Sequence, residues 1–138
     1  MNIYFSCSIT GGRQDQQVYH AIVETLQKAG HKVPTAHLSH ADVMEKETVI
    51  LPAEVYERDV RWVQECDALI AEVSTPSHGV GYEIALALFL SKPVFCCYLQ
   101  NRRVSKMILG NRSPNLILYP YRSLDDLLPK IMDFLLNV

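Results

Sequence analysis

The sequence predicts a single-domain α/β protein: a doubly wound, five-stranded parallel sheet with flanking helices, flavodoxin-like or Rossmann-like in its winding. Three observations carry this. Short apolar runs alternate with longer amphipathic stretches along the chain. Turn-forming residues fall between the runs, and no repeat, low-complexity tract or linker divides residues 1–138, so one domain is expected. At 138 residues, 49% hydrophobic and 20% charged, the chain can bury its own core and is not a disordered sequence.

The elements follow in order. Ile3 to Cys7 is the first strand. After Gly11-Gly12, Val18, Ile22, Leu26 and Ala29 recur at helical spacing, and Gly30 stops that helix. Lys32 to Leu38 is extended, with Pro34 marking a short or edge second strand. Ser39 to Leu51 is polar and weakly patterned, a loop or irregular helix. Pro52 opens the next helix as a first-turn proline. Ala68 to Val73 is a buried third strand, followed by the turn-rich Ser74 to Gly81. Tyr82 to Leu90 is a helix apolar on nearly every side, and so expected to be buried. Pro93 to Leu99 is the fourth strand, Arg103 to Leu109 a short helix, and Leu116 to Tyr119 the fifth strand. Ser123 caps the last helix, with Asp126 three residues on in a variant capping box. Leu124, Leu127, Leu128, Ile131 and Leu135 form its apolar stripe, which Pro129 should kink.

Composition removes several classes of function. A formal net charge of −2 without a basic block argues against a nucleic-acid polymer as partner, though not against a small anion. No apolar run reaches the roughly 18 residues of a membrane span. Met1-Asn2-Ile3-Tyr4-Phe5 has no basic leader region, so no secretory signal is expected. Cys7, Cys66, Cys96 and Cys97 form no C-x-x-C pair; they suit a reducing, cytoplasmic compartment. The five histidines show no metal spacing, and no metal or cofactor is expected.

In such sheets ligands bind beyond the carboxyl ends of the strands. Glu83 is the most informative residue there. It follows Ser77-His78-Gly79-Val80-Gly81-Tyr82 and is expected in the first turn of a buried helix, facing a cavity. Asp59 lies in the apolar stripe Val55, Asp59, Trp62, Val63, Cys66. Two readings stay open for it: a structural partner of a backbone amide, Arg58 or Arg61, or a functional carboxylate held over a cleft with a raised pKa. Glu72, ending the third strand, suits a supporting role. The first loop, Cys7-Ser8-Ile9-Thr10-Gly11-Gly12-Arg13, offers hydroxyls, backbone N–H groups and a cation before a helix, which suits a phosphate. It is neither a Walker loop nor a dinucleotide fingerprint, and no G-x-S-x-G elbow exists. His37 is the one histidine placed at the site. Tyr4, on the first strand, could hydrogen-bond a carboxylate.

Together these residues resemble the nucleoside 2-deoxyribosyltransferase superfamily, and within it the 2′-deoxynucleoside 5′-phosphate N-hydrolases. The match rests on Ile3 to Arg13, Asp59 with Trp62, Asp67 to Glu72 and, most specifically, Pro76-Ser77-His78-Gly79-Val80-Gly81-Tyr82-Glu83. The resemblance implies cleavage of the N-glycosidic bond of a 2′-deoxynucleoside 5′-monophosphate to free base and 2-deoxyribose 5-phosphate. It makes Glu83 the nucleophile at the anomeric carbon, Asp59 the general acid at the base and Tyr4 the residue that orients Glu83. It implies substrate contacts from Cys7, Ser8, Ile9, Thr10, Gly11 and Arg13, with His37, Ser77 and Gly79. It also implies a homodimer, in which the matching Ser105 and Met107 segment completes the neighbouring subunit's site. The sequence departs from the family's first loop at Cys7, which stands for a glycine, and at Thr10, which stands for an arginine. Base exchange by a transferase, cleavage of ribonucleotides and a non-catalytic nucleotide sensor remain alternatives on the same fold.

Overall fold

The computed structural model describes residues 1–9 and 15–138, apart from the Lys46 side chain. The expected sites Thr10, Gly11 and Arg13 lie outside the described residues. The sheet holds four parallel strands in the order β1 (Ile3–Ser6), β2 (Ala68–Glu72), β3 (Val94–Leu99) and β4 (Leu116–Tyr121). The helices are α1 (Gln16–Lys28), α2 (Val43–Thr48), α3 (Pro52–Glu65), α4 (His78–Phe89), α5 (Lys106–Leu109) and α6 (Leu124–Leu136). A 3-10 turn covers Ala36–Ser39. No helix among the described residues is long and apolar enough to cross a membrane.

The expected second strand, Lys32 to Leu38, shrinks to one parallel bridge between Asn2 and Lys32. Its hydrogen bonds explain why. Lys32 accepts from the Ile3 amide at 2.8 Å and donates to Met1 at 2.9 Å. Two residues along β1, the Phe5 amide donates instead to the Thr35 hydroxyl at 3.0 Å. A side chain thus satisfies the strand edge just after Pro34, which has no N–H to offer a ladder. The bridge still lies outside β1, so the flavodoxin-like order survives with its second position reduced.

Alternation along the strands sorts the core into two layers. Ile3 and Phe5 join Ile70, Phe95 and the apolar stripes of α1 and α6. Tyr4 joins Leu69, Ala71, Cys96, Val63 of α3 and Val80, Ile84 and Ala87 of α4. Each fully buried large apolar side chain contributes roughly 1.5–3 kcal/mol. Gly30, at φ 84°, ends α1 as expected. Ser123 caps α6 by accepting from the Asp126 amide at 3.3 Å. That helix continues through Pro129 to Leu136.

Two expectations for α4 are corrected. The helix begins at His78, because the Ser77 hydroxyl caps it by accepting from the Val80 amide at 3.4 Å. Gly79 and Gly81 are therefore helical, and Glu83 sits in the second turn instead of the first. The helix is also not buried all round: Tyr82 is 53% and Phe89 86% exposed. On that outward face Tyr82 meets the edge of the Tyr56 ring, with centroids 6.2 Å apart.

Glu72 closes the sheet at the carboxyl end of β2 and is fully buried. It accepts from the Ser74 hydroxyl, from the Ser74 amide at 3.3 Å and from the Tyr121 hydroxyl of β4 at 3.1 Å. Ser74 in turn accepts from the Leu99 amide of β3 at 2.8 Å. One carboxyl thus links the ends of three strands. Burial pushes its pKa up to about 7, against the Ser74 hydrogen bond and with help from the charge of Asp15. A carboxyl with a raised folded pKa favours the fold while protonated; that contribution disappears as pH rises from about 4.5 to about 7. Glu72→Gln should therefore gain stability relative to the wild type between pH 5 and pH 8, by about 3 kcal/mol at most. Urea unfolding at both pH values measures this, and parallel stabilities at the two would contradict the burial argument.

Candidate active site

Tyr4 and Ser6 are two residues apart on β1 and so share the face that looks toward α4. Glu83, one turn into α4, meets both. Tyr4 donates to Glu83 Oε1 at 2.8 Å, and Ser6 donates to Oε2 at 2.5 Å. Val80, Ile84 and Ala87 seat the helix on the sheet, which holds the carboxylate in place. Burial raises the Glu83 pKa to about 7. The Ser6 and Tyr4 hydrogen bonds oppose that rise, while the charge of Asp59 adds to it. The Tyr4 phenol is held protonated by burial and by the Glu83 charge, so it acts as a donor.

A cavity of about 480 Å³ opens above Glu83. One end is formed by Cys7, Ile9, Ser77 and Gly79, at the end of β1 and the start of α4. The other is formed by Glu47, Ile50, Pro52, Val55, Tyr56 and Asp59 of the α2–α3 region. Asp59 lines the cavity and pairs with Arg58, the structural partner the sequence offered, whose Nε donates to Oδ1 at 2.8 Å. The rest of the Arg58 guanidinium grips Glu47 at 3.1 and 3.2 Å and lies 5.0 Å from the centre of the Trp62 ring. His37 Nε2 is 3.0 Å from Glu47 Oε1. Burial pushes the Glu47 carboxyl up, but hydrogen bonds from Arg58 and His37 outweigh it and hold the group below its usual range.

The structure therefore brings together Glu83, Asp59 and Tyr4, with Cys7, Ile9, Ser77 and Gly79. Ser8 is fully buried and does not line the cavity, and His37 reaches the wall through Glu47. Ser105 and Met107 do not join this cavity. They line a second one of about 400 Å³ on the other flank of α4, with Ser77, His78 and Arg103. Ser105 caps α5, accepting from the Met107 amide at 3.2 Å, and Met107 is 85% exposed. The sequence reading missed Ser6 and Glu47. Ser6 was reachable from the period of two that selects Tyr4; Glu47 lies in a weakly patterned segment and gave no signal. Among the described residues, no group of three or more His, Cys, Asp or Glu has the geometry to hold a metal ion.

The two hydroxyls on Glu83 generate a direct prediction. Tyr4→Phe and Ser6→Ala each remove a donor that favours the charged carboxylate, so each should move its titration from about 7 to about 8 or higher. Carboxyl carbon-13 NMR of the folded variants reads this, and an unmoved Glu83 titration in both would refute the role given to the hydroxyls.

Comparison with known proteins agrees with this arrangement. The sequence profile of the nucleoside 2-deoxyribosyltransferase family matches residues 3–118. A protein of Methanococcoides burtonii, provisionally named 2′-deoxynucleoside 5′-phosphate N-hydrolase 1, is 40% identical over 111 residues, covering 80% of this chain and 91% of that protein. The 5-hydroxymethyl-dUMP N-hydrolase of Esox lucius is 42% identical over 115 residues, 80% of this chain and 79% of its own. Among solved structures, the CMP N-glycosidase BcmB of Clostridium botulinum has the same fold, with a TM-score of 0.73 at 19% identity over 96% of this chain and 98% of its own. With its profile matched over most of the chain and relatives near 40% identity, this protein belongs to the nucleoside 2-deoxyribosyltransferase family.

Proposed function

We propose that this protein hydrolyses the N-glycosidic bond of 2′-deoxynucleoside 5′-monophosphates, releasing free base and 2-deoxyribose 5-phosphate. The observation that carries the reading is Glu83, oriented by Tyr4 and Ser6 at the floor of a cavity that Asp59 also lines. The names of the M. burtonii and E. lucius relatives support it.

In this reading the ionised Glu83 carboxylate attacks the anomeric carbon. The C–N bond breaks, its electron pair leaves with the base, and Asp59 supplies the proton that the base nitrogen takes up. Water then attacks the glycosyl ester at the anomeric carbon, giving the sugar its hydroxyl, passing its other proton to the Asp59 carboxylate and returning Glu83 as a carboxylate. Tyr4 and Ser6 keep the nucleophile aimed between steps. The phosphate lies at the start of α4, where the Ser77 hydroxyl and the Gly79 backbone meet Cys7 and Ile9. The four cysteines are free thiols, which suits the cytoplasm.

The proposed active unit is a homodimer. Met107 and the outward face of α4, with Tyr82 and Phe89, offer exposed apolar area for a second copy to cover. Ser105 of each chain then serves the phosphate end of its neighbour's cavity.

Glu83→Gln is expected to abolish base release while leaving thermal unfolding cooperative. Wild-type activity should not require an added acceptor base, which separates hydrolysis from base exchange. It should fall as pH drops below about 7, because protonation removes the nucleophile. A 2-fluoro sugar substrate should label Glu83; base release at wild-type rate by folded Glu83→Gln would end the assignment.

Ser105→Ala is expected to raise KM for the monophosphate by roughly tenfold to a hundredfold and to spare any nucleoside cleavage. Mixing Glu83→Ala with Ser105→Ala subunits should restore one competent site per mixed dimer. No recovery despite verified subunit exchange would place Ser105 outside the neighbour's site.

A further inference from the structure

The cavity has two chemically different ends. At the start of α4 its polar groups include the Ser77 hydroxyl and helix N–H groups, which suit an anion. At the α2–α3 end its charged groups are Glu47 and Asp59. Their cationic partner Arg58 and the nearby His37 are not part of the lining. The guanidinium lies against Trp62, while Glu47 and Asp59 line the space. A phosphate dianion is repelled from this second end, so a nucleotide enters with its base there. Ile50, Pro52 and Val55 give the base an apolar seat. Asp59 and Glu83 are near enough for each to act on the other's charge, which places Asp59 over the sugar-proximal ring. Glu47, across Arg58 from Asp59, lies farther out, toward the edge of the base.

Glu47 is held below its usual carboxylate pKa range, so at neutral pH it is ionised and accepts hydrogen bonds only. We infer that Glu47 selects the base: the cavity favours nucleotides whose base carries an exocyclic hydrogen-bond donor, an amino or a hydroxymethyl group. This rests on the reading of the cavity as a nucleotide site. A base presenting a carbonyl or a methyl at the same position sets an acceptor, or nothing, against a partly buried carboxylate and leaves one of its lone pairs unmet. The Arg58 fork keeps the carboxylate fixed, so Glu47 itself has no donor to turn toward such a base.

Base release from dCMP against dUMP, and from 5-hydroxymethyl-dUMP against dTMP, tests this, since each pair differs only at the outer edge of the base. The donor-bearing member of at least one pair is expected to be favoured by roughly tenfold to a hundredfold in kcat/KM. The pair that shows the preference tells an amino from a hydroxymethyl group. Glu47→Gln keeps the shape but replaces one acceptor oxygen with a donor, and should reduce the preference to within a few fold. Should that variant not fold, Glu47→Asp, which withdraws the charge by one methylene, is expected to erode the preference in the same direction. Equal kcat/KM within both wild-type pairs overturns the selection and leaves hydrolysis standing. A Glu47 variant that slows both members by the same factor also overturns it, because Glu47 then acts only through Arg58 and Asp59. Base release from dAMP or dGMP but from none of the four overturns this inference and leaves hydrolysis standing, whereas release from none of the six removes the function reading, and this inference with it.

Discussion

A carboxylate taken out of water must find replacements for its lost hydration, and for Glu83 those replacements come from β1. The Tyr4 and Ser6 hydroxyls reach one oxygen each. They can do so only because residues two apart on a strand face the same way, and because α4 is packed down on that face by Val80, Ile84 and Ala87. Most of the fold serves this approach. The parallel pairing of β1 with β2 sets the height of Tyr4, and the β2–α4 turn sets the height of Glu83. The compensation is partial, since the pKa still rises to about 7. A carboxylate so placed is ionised for part of the time near neutrality and weakly solvated when it is, which suits a nucleophile.

Asp59 and Glu83 share a cavity in contrasting surroundings. Neutral hydroxyls support Glu83, whereas a guanidinium supports Asp59. Burial favours a proton on Glu83, so the proposed reaction starts from the fraction of molecules in which Glu83 is ionised. Arg58 adds a constraint, because one side chain holds Asp59 and Glu47 together and is itself stacked on Trp62. Movement of the α2 segment is therefore tied to the position of Asp59. Asp59 and Glu47 are thus held as one unit.

Much of this was legible in the sequence, for reasons that differ by residue. The alternation Ile3-Tyr4-Phe5 exposes Tyr4 to the α4 layer, whereas the glycines before Glu83 suggest a close approach that does not occur: a Cβ at Gly81 would meet no atom within 4 Å. The same alternation would have found Ser6 had it been carried two residues further. The second strand was misread because extended residues around Pro34 look like a strand edge, while Thr35 satisfies β1 through its side chain. The start of α4 was misplaced because Gly79 and Gly81 weigh against helix locally, yet packing and the Ser77 cap outweigh them. Glu47 and Arg58 stand eleven positions apart on different helices, and no periodicity in one element predicts a contact between two.

The start of α4 separates two cavities, and Ser77 and Val80 line both. Ser105 stands on the far side of that wall from Glu83 of its own chain. To reach that Glu83 cavity, its segment would have to cross the helix that holds the nucleophile, which would undo the packing that aims it. A serine from another copy meets no such obstacle. The same helix carries an outward apolar face, with Phe89 86% exposed, beside the segment of Met107. Burying that face is favourable in proportion to its area, so association and completion of the site would draw on one surface. In the proposed dimer the helix that places Glu83 on its inner side would recruit, on its outer side, the chain that completes the phosphate end.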